Sequence, residues 1–167
     1  GIGDPSEDGN ADVAVGAPGH TTNRGKVSLF SGDDHAVLQR INGDTAGDRF
    51  GEAIAGGDFT IGTTKSPYMA IGAPHNGPPR TDAGRIRLYT RNHTTAACAT
   101  TVCAGIFVNG GNAGDEFGSA LAIGQIIGTV HPELLVGTPR AGNNGVEAGA
   151  VYMYELSNTS LGPTFFG

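Results

Sequence analysis

Apolar residues come along this chain in short bursts, and no segment keeps a helical period for three turns. In Gly84-Arg85-Ile86-Arg87-Leu88-Tyr89 the arginines alternate with Ile and Leu, a two-residue period that gives a strand one buried face. Gly25-Lys26-Val27-Ser28-Leu29-Phe30 and Gly149-Ala150-Val151-Tyr152-Met153-Tyr154 have the same form. The bursts are rich in Val, Ile, Tyr and Phe and are bounded by Gly, Pro, Asn and Asp clusters, which predicts strands joined by turns. Further strands are predicted at 37–41 and 105–108, and before Gly16-Ala17-Pro18, Gly72-Ala73-Pro74 and Gly137-Thr138-Pro139.

The bursts recur in a fixed order. Asn42-Gly43-Asp44-Thr45-Ala46-Gly47-Asp48-Arg49-Phe50-Gly51 matches Asn109-Gly110-Gly111-Asn112-Ala113-Gly114-Asp115-Glu116-Phe117-Gly118 at one constant offset. After each Phe-Gly comes an apolar run ending in Gly-Ala-Pro or Gly-Thr-Pro, then the Gly-led alternating strand, then an outer strand. Four short strands per unit, in tandem, is the sequence form of a β-propeller. The expected fold is therefore all-β: a propeller segment of about three four-stranded antiparallel blades.

These residues resemble the FG-GAP repeats, the propeller repeats of integrin α-chain heads and of many bacterial surface and secreted proteins. The resemblance rests on Phe50-Gly51, Phe117-Gly118 and a terminal Phe166-Gly167, together with the three Gly-Ala-Pro-like signatures. It covers essentially the whole chain. The stretch from Ser31-Gly32-Asp33-Asp34 to Phe50-Gly51 looks closer to bacterial members. The predicted units are 1–49 with an incomplete first strand, 50–116, and 117–167 with the start of a next unit. Propellers close with roughly 4–8 blades, and a blade needs a neighbour on each side to bury its faces. The expected partners are thus further blades of one propeller or other subunits. Gly1-Ile2-Gly3-Asp4 reads as the end of a strand, and Phe166-Gly167 as the opening of one.

Composition narrows the classes. With 10 basic and 16 acidic residues in 167, the net charge is −6 and no basic cluster exists, which disfavours nucleic-acid binding. The most apolar window, 120–130, is broken by Gly124, Gln125 and Gly128 and is too short to span a bilayer as a helix. Cys98 and Cys103 are spaced to close a hairpin-like loop as a disulfide, and Asn92 and Asn158 begin glycosylation sequons. Together they point to an extracellular, secreted or cell-surface setting. A chain starting at Gly1 without Met or a signal peptide reads as a mature or trimmed piece.

One segment carries chemistry. In Asp4-Pro5-Ser6-Glu7-Asp8-Gly9-Asn10-Ala11-Asp12, oxygen side chains stand at loop positions one, three, five and nine, with Gly9 permitting the reversal. Asn10 can add a backbone carbonyl, and Ca²⁺ takes 6–8 such hard oxygens. The segment resembles the family's calcium loop, Asp-x-Asp-x-Asp-Gly-x-x-Asp, with Ser6 in place of an acid. The loss of one charge implies weak affinity, on the order of 10⁻⁴–10⁻³ M. A solvated acidic turn is the competing reading. Val15 at position twelve, inside a strand, excludes an EF-hand. The counterpart loops after Asp58 and Gly124 have lost their carboxylates, apart from Glu133 near the closing position, so one calcium is expected.

No nucleophile elbow, Walker loop or His-Glu-x-x-His pair occurs. Asp33-Asp34-His35 places acids beside a base but follows Ser31-Gly32, where Asp and Gly are ordinary turn formers. Asp48 and Asp115 recur at matched positions and read as turn residues. The loops beginning at His75 and Arg140 are candidate recognition loops. The resulting expectation is a non-catalytic recognition, adhesion or structural surface module, stabilised by Ca²⁺ and open to a protein or glycan ligand. The alternative is the propeller portion of a larger secreted phospholipase- or hydrolase-like enzyme, with the chemistry outside this chain.

Overall fold

A computed structural model describes residues 1–61, 63–77, 81–90, 103–128, 130–142, 147–156 and 160–167. Nearly all regular structure is β. The strands are β1 Val13–Ala17, β2 Lys26–Phe30 and β3 Val37–Asn42 in a first sheet. β4 Ile54–Ile61, β5 Thr64–Ala73, β6 Arg85–Thr90 and β7 Cys103–Asn109 form a second. β8 Ala120–Gly124, β9 Glu133–Thr138, β10 Ala150–Glu155 and β11 Ser160–Phe166 form a third. Every pairing is antiparallel and every strand lies beside its sequence neighbour, so each sheet is a meander. These are propeller-like blades, as the repeat predicts.

Register makes the blades superimposable. Gly16 stands opposite Val27, Gly72 opposite Ile86 and Gly137 opposite Val151. The same three apolar residues stand opposite Ile41, Val108 and Phe165 on the outer strand. At the seams the two signatures meet. A Cβ on Gly16 would collide with the Gly51 carbonyl, and one on Gly72 with the Gly118 carbonyl. Glycine at these positions lets the backbone of one blade lie against the Phe-Gly of the next. Isolated parallel bridges join Gly25 to Phe50 and Gly84 to Phe117 across the same seams.

Two apolar cores fill the two seams. Ile2, Val27, Leu29, Ile41 and Phe50 pack with Met69, Ile71, Ala73 and Tyr89 between the first and second blades. Ala70, Ile86, Leu88, Phe117, Leu134, Val136 and Leu156 pack between the second and third. Phe117 adds edge-on contacts to Tyr152 and Tyr154, with ring centroids 5.8 and 6.2 Å apart. The first seam is also latched at its rim. Asp44 pairs with Arg85 and Arg87, and the Arg87 guanidinium lies 5.1 Å from the Phe50 ring centre and 5.0 Å from that of Phe107.

The two ends differ in part from expectation. Residues 1–4 form no strand of the first sheet, but their backbone pairs with the residue just ahead of β1: the Ile2 N–H donates to the Asp12 carbonyl and the Asp12 N–H to that of Gly3. Phe166-Gly167 is not a third Phe-Gly. Phe166 lies on the outer strand opposite Ala150, in the register of Asn42 opposite Lys26 and Asn109 opposite Arg85. The Gly167 N–H donates to Gly149, as those of Gly43 and Gly110 donate to Gly25 and Gly84. Identical dipeptides at two positions in the repeat misled the sequence comparison. Asn92, Cys98 and Asn158 lie outside the described residues; Cys103 opens β7, its backbone opposite Thr90. Among the described residues, no helix is long and apolar enough to cross a membrane.

Candidate functional site

The acidic loop runs from the Ile2–Gly3 backbone, which hydrogen-bonds Asp12, into β1. Gly9, at φ +93°, makes the reversal that Asp4-to-Asp12 closure needs. Backbone amides then converge on the first carboxylate: Asp8 N–H donates to Asp4 Oδ1 at 3.2 Å and Gly9 N–H to Asp4 Oδ2 at 3.0 Å. Asp12, fully buried, closes the loop. Its oxygens accept the Ser6 N–H at 2.9 Å, the Ser6 hydroxyl at 3.1 Å and the Gly32 N–H at 3.0 Å.

Asp4, Asp8 and Asp12 each bring a carboxylate oxygen within 4.8 Å of the others. Ser6 stands among them, its hydroxyl 3.1 Å from Asp12 and 3.3 Å from Asp4 and able to donate its one hydrogen to either. The Asn10 N–H, donating to Asp8 Oδ1 at 2.8 Å, holds the Asp8 carboxyl below the usual carboxylate range. The Asn10 side chain turns instead toward Asp33, at 3.4 Å. Three mutually repelling carboxylates and a hydroxyl are an all-oxygen donor set, which suits a hard divalent cation such as Ca²⁺ better than a softer transition metal.

Two supports escape the sequence reading. Ser31, nine-tenths buried, donates its hydroxyl to Asp8 Oδ2 at 3.2 Å and accepts the N–H groups of Asp33 and Asp34. The 31–36 turn thus braces the acidic loop, and Asp34 is itself held low by the Ala36 N–H. The second support comes from the next blade. Asp58 accepts the Asp4 N–H on both carboxylate oxygens, at 3.1 Å each, and is paired with Lys65 at 2.8 Å. By its place in the repeat Asp58 is the counterpart of Asp4. Here it serves its neighbour's loop, a contact between residues too far apart for any sequence signal.

The counterpart loops are built otherwise. In the second blade β4 and β5 run on as one hairpin, with Ile61 opposite Thr64, and Tyr68 takes the place of Asp12. In the third, buried Glu133 keeps the closing position and accepts the Ile126 N–H at 2.7 Å. Of the remaining candidates, Asp48 is buried and binds the Thr45 N–H and the Asn76 amide, at 2.9 and 2.8 Å. Asp115 accepts the Asn112 amide at 3.0 Å. Asn76 is therefore a structural member of its loop. His75 faces Asp82 at 3.4 Å, and Arg140 pairs with Glu116 at 2.9 Å. The tips of these two loops lie outside the described residues.

No protein-family model matches the chain. It is similar to phosphatidylinositol-glycan-specific phospholipase D of Bos taurus, 27% identical over 89% of this chain and 19% of that protein. The Homo sapiens phospholipase of the same name is 28% identical over the same shares. Integrin alpha-5 of Xenopus laevis is 24% identical over 92% of this chain and 14% of its own length. The chain spans a fifth or less of these relatives. Its likeness to integrin alpha chains and to this phospholipase supports an integrin-like repeat.

Proposed function

We propose that this chain is a run of FG-GAP blades in a non-catalytic extracellular module for recognition, adhesion or surface structure, stabilised by Ca²⁺ in its first blade. The observation that carries the reading is the convergence of Asp4, Asp8 and Asp12 around Ser6. The Asn10 carbonyl is the fifth candidate donor. When bound, the ion supplies charge compensation and a cross-link between the two ends of the loop. The chain's own residues do the rest: Ser31 braces the exposed Asp8, Gly32 the buried Asp12, and Asp58 fixes the start of the loop from the adjoining blade. A pre-formed loop loses less entropy on binding. The extracellular setting draws on the Asn92 and Asn158 sequons and the Cys98–Cys103 pair as well as on the repeat. The closer bacterial likeness rests on the 31–51 segment alone, since the relatives named above come from cattle, human and frog.

A second reading has its own support. Matching most of this chain to a fifth of a phospholipase is what the propeller portion of a larger secreted enzyme gives, with catalysis elsewhere. The coding sequence on either side discriminates, since an adjoining catalytic domain favours the enzyme and a membrane anchor or further repeats favour the module. The calcium reading is tested by thermal unfolding in 10 mM CaCl₂ against EGTA. With a dissociation constant of about 10⁻³ M the gain is about 1.4 kcal/mol, and Asp8→Ala removes it. A melting temperature indifferent to calcium, or a gain that Asp8→Ala leaves intact, sinks the reading.

A further inference from the structure

A cluster of charge lies at the outer rim of the first seam, away from the acidic loop. Arg85 and Arg87 on β6 share a face with Asn109 and Phe107 on β7, each pair standing opposite across the sheet. The Arg85 Nε–H donates to Asn109 Oδ1 at 2.7 Å. Both guanidiniums pair with Asp44 of the first blade's connection, one on each carboxylate oxygen. Arg87 also donates to the Asn42 carbonyl and the Tyr89 hydroxyl, at 3.3 and 3.4 Å, and lies against the rings of Phe50 and Phe107. The Arg85 guanidinium lies 5.4 Å from the Phe107 ring centre.

A seam does not need this cluster. In the second seam Tyr152 takes the place of Arg87, packing edge-on against Phe117 without any charge. Ala150 stands where Arg85 does, and Gly111 where Asp44 does. The first seam therefore carries two guanidiniums beyond what its packing asks. Among the described residues, Asp44 is the only acid paired with either, so one negative charge answers two positive ones. Arg85 Nη2 and Arg87 Nε have no acceptor among the described residues. The Asp44 side chain is 42% exposed against 22% and 13% for the arginines, so it caps them from the water side. Beside them the Phe107 ring is half-exposed.

The geometry points to the Arg85–Arg87–Phe107 face as a binding site for an acidic saccharide. The carboxylate or sulfate oxygens of the sugar take the open guanidinium N–H groups, and its ring lies on the exposed part of Phe107. A planar guanidinium fork matches either oxyanion, and the negative face of an aromatic ring attracts the C–H groups of a sugar. An acidic polypeptide side chain would meet the guanidiniums but brings no flat surface for Phe107. Asp44 holds the oxyanion's place, so it opposes the ligand while bracing the seam. The proposal rests on the recognition reading above, whose ligand class it names, and involves no calcium. With a net charge of −6 the chain as a whole repels acidic sugars, so any binding must be local.

The test is calorimetric titration of the full chain, in EGTA, with a hyaluronan tetrasaccharide, a heparin-derived tetrasaccharide and neutral chitotetraose. Saturable binding of an acidic sugar and none of the neutral one is expected. Hyaluronan binding marks the carboxylate as the group held; heparin binding alone marks the sulfate. Arg85→Gln should weaken binding about tenfold. Asp44→Asn should tighten it about threefold, a gain that no folding defect imitates. Binding of neither acidic sugar, binding that Arg85→Gln leaves unchanged, or a loss in Asp44→Asn overturns the site. A tetraglutamate peptide that binds more tightly than either sugar also overturns it and makes an acidic polypeptide the occupant. Failure here with the calcium-dependent melting shift intact defeats this site alone and leaves the recognition reading to the flanking coding sequence. A lost shift with saccharide binding intact defeats only the calcium reading.

Discussion

The middle blade and the outer two carry the same kinds of residue at the same register, yet they differ in what reaches water. Ile71 of the middle blade is fully buried, while Val15 at the same position of the first is 51% exposed. Ile86 is buried and Val151 is open. Burial here belongs to the stack and not to the strand. A strand pattern that reads as half-buried becomes buried on both faces once a neighbour arrives on each side, which is how quasi-one-dimensional repeats distribute stability.

The sharpest way to break that comparison is to place the same methyl group in a covered seam and on an open face. Gly72→Ala drives its Cβ into the Gly118 backbone, which side-chain adjustment cannot relieve. A loss of about 3 kcal/mol is expected from such overpacking. Gly137→Ala comes no nearer than 3.1 Å to the Ala120 Cβ and 3.5 Å to its carbonyl oxygen, and is expected to cost less than about 1 kcal/mol. Urea unfolding midpoints of the two variants measure the difference. Equal losses would mean that the third blade's outer face is as constrained as the seam.

A smaller contrast lies between the loops that Asp12 and Glu133 close. Both carboxylates are buried and both accept an amide from the start of their own loop. Removing either takes the acceptor from amides that are only part-buried, so Asp12→Ala and Glu133→Ala should each lose about 1 kcal/mol in calcium-free buffer. Only the first should also abolish the calcium-dependent gain. If Glu133→Ala removes that gain as well, the ion is not held by the first blade's loop.

The fold was legible because the repeat states it several times. Strand alternation, turn residues and the order of the signatures agree, and such consistency across levels is what specifies a structure. The acidic loop was legible because its donors are local: Asp4 through Asp12 is one turn. What supports it was not. Asp58 reaches Asp4 across a seam, and Ser31 reaches Asp8 from the next connection, contacts that exist only after the sheets stack. Phe166-Gly167 shows the reverse failure, a correct dipeptide in the wrong place. Its register is set by pairing with β10, which outranks a two-residue likeness.

The Asp58–Lys65 pair gives the finest test of how the second blade acts on the first. Lys65 is 62% exposed, and its ammonium is raised above the ordinary 10.5 by the hydrogen bond and charge of Asp58. A cation raised in this way contributes stability that is complete below the unfolded value and is lost as pH climbs through the folded one. Lys65→Met should therefore change stability little at neutral pH, as is usual for an exposed pair, and not at all above the folded value. Its effect on the loop has the opposite sign. The Lys65 charge also acts on Asp4, so removing it leaves the carboxylate cluster more negative and should tighten calcium binding about twofold at low salt. Screening erases most of that gain at high salt, because the Debye length shrinks from about 10 Å at 0.1 M to about 3 Å at 1 M. Calcium titrations of both proteins at the two salt concentrations measure it. Weaker binding in Lys65→Met would instead mean that Lys65 acts by holding Asp58 against the Asp4 amide, making geometry and not charge the link between the blades.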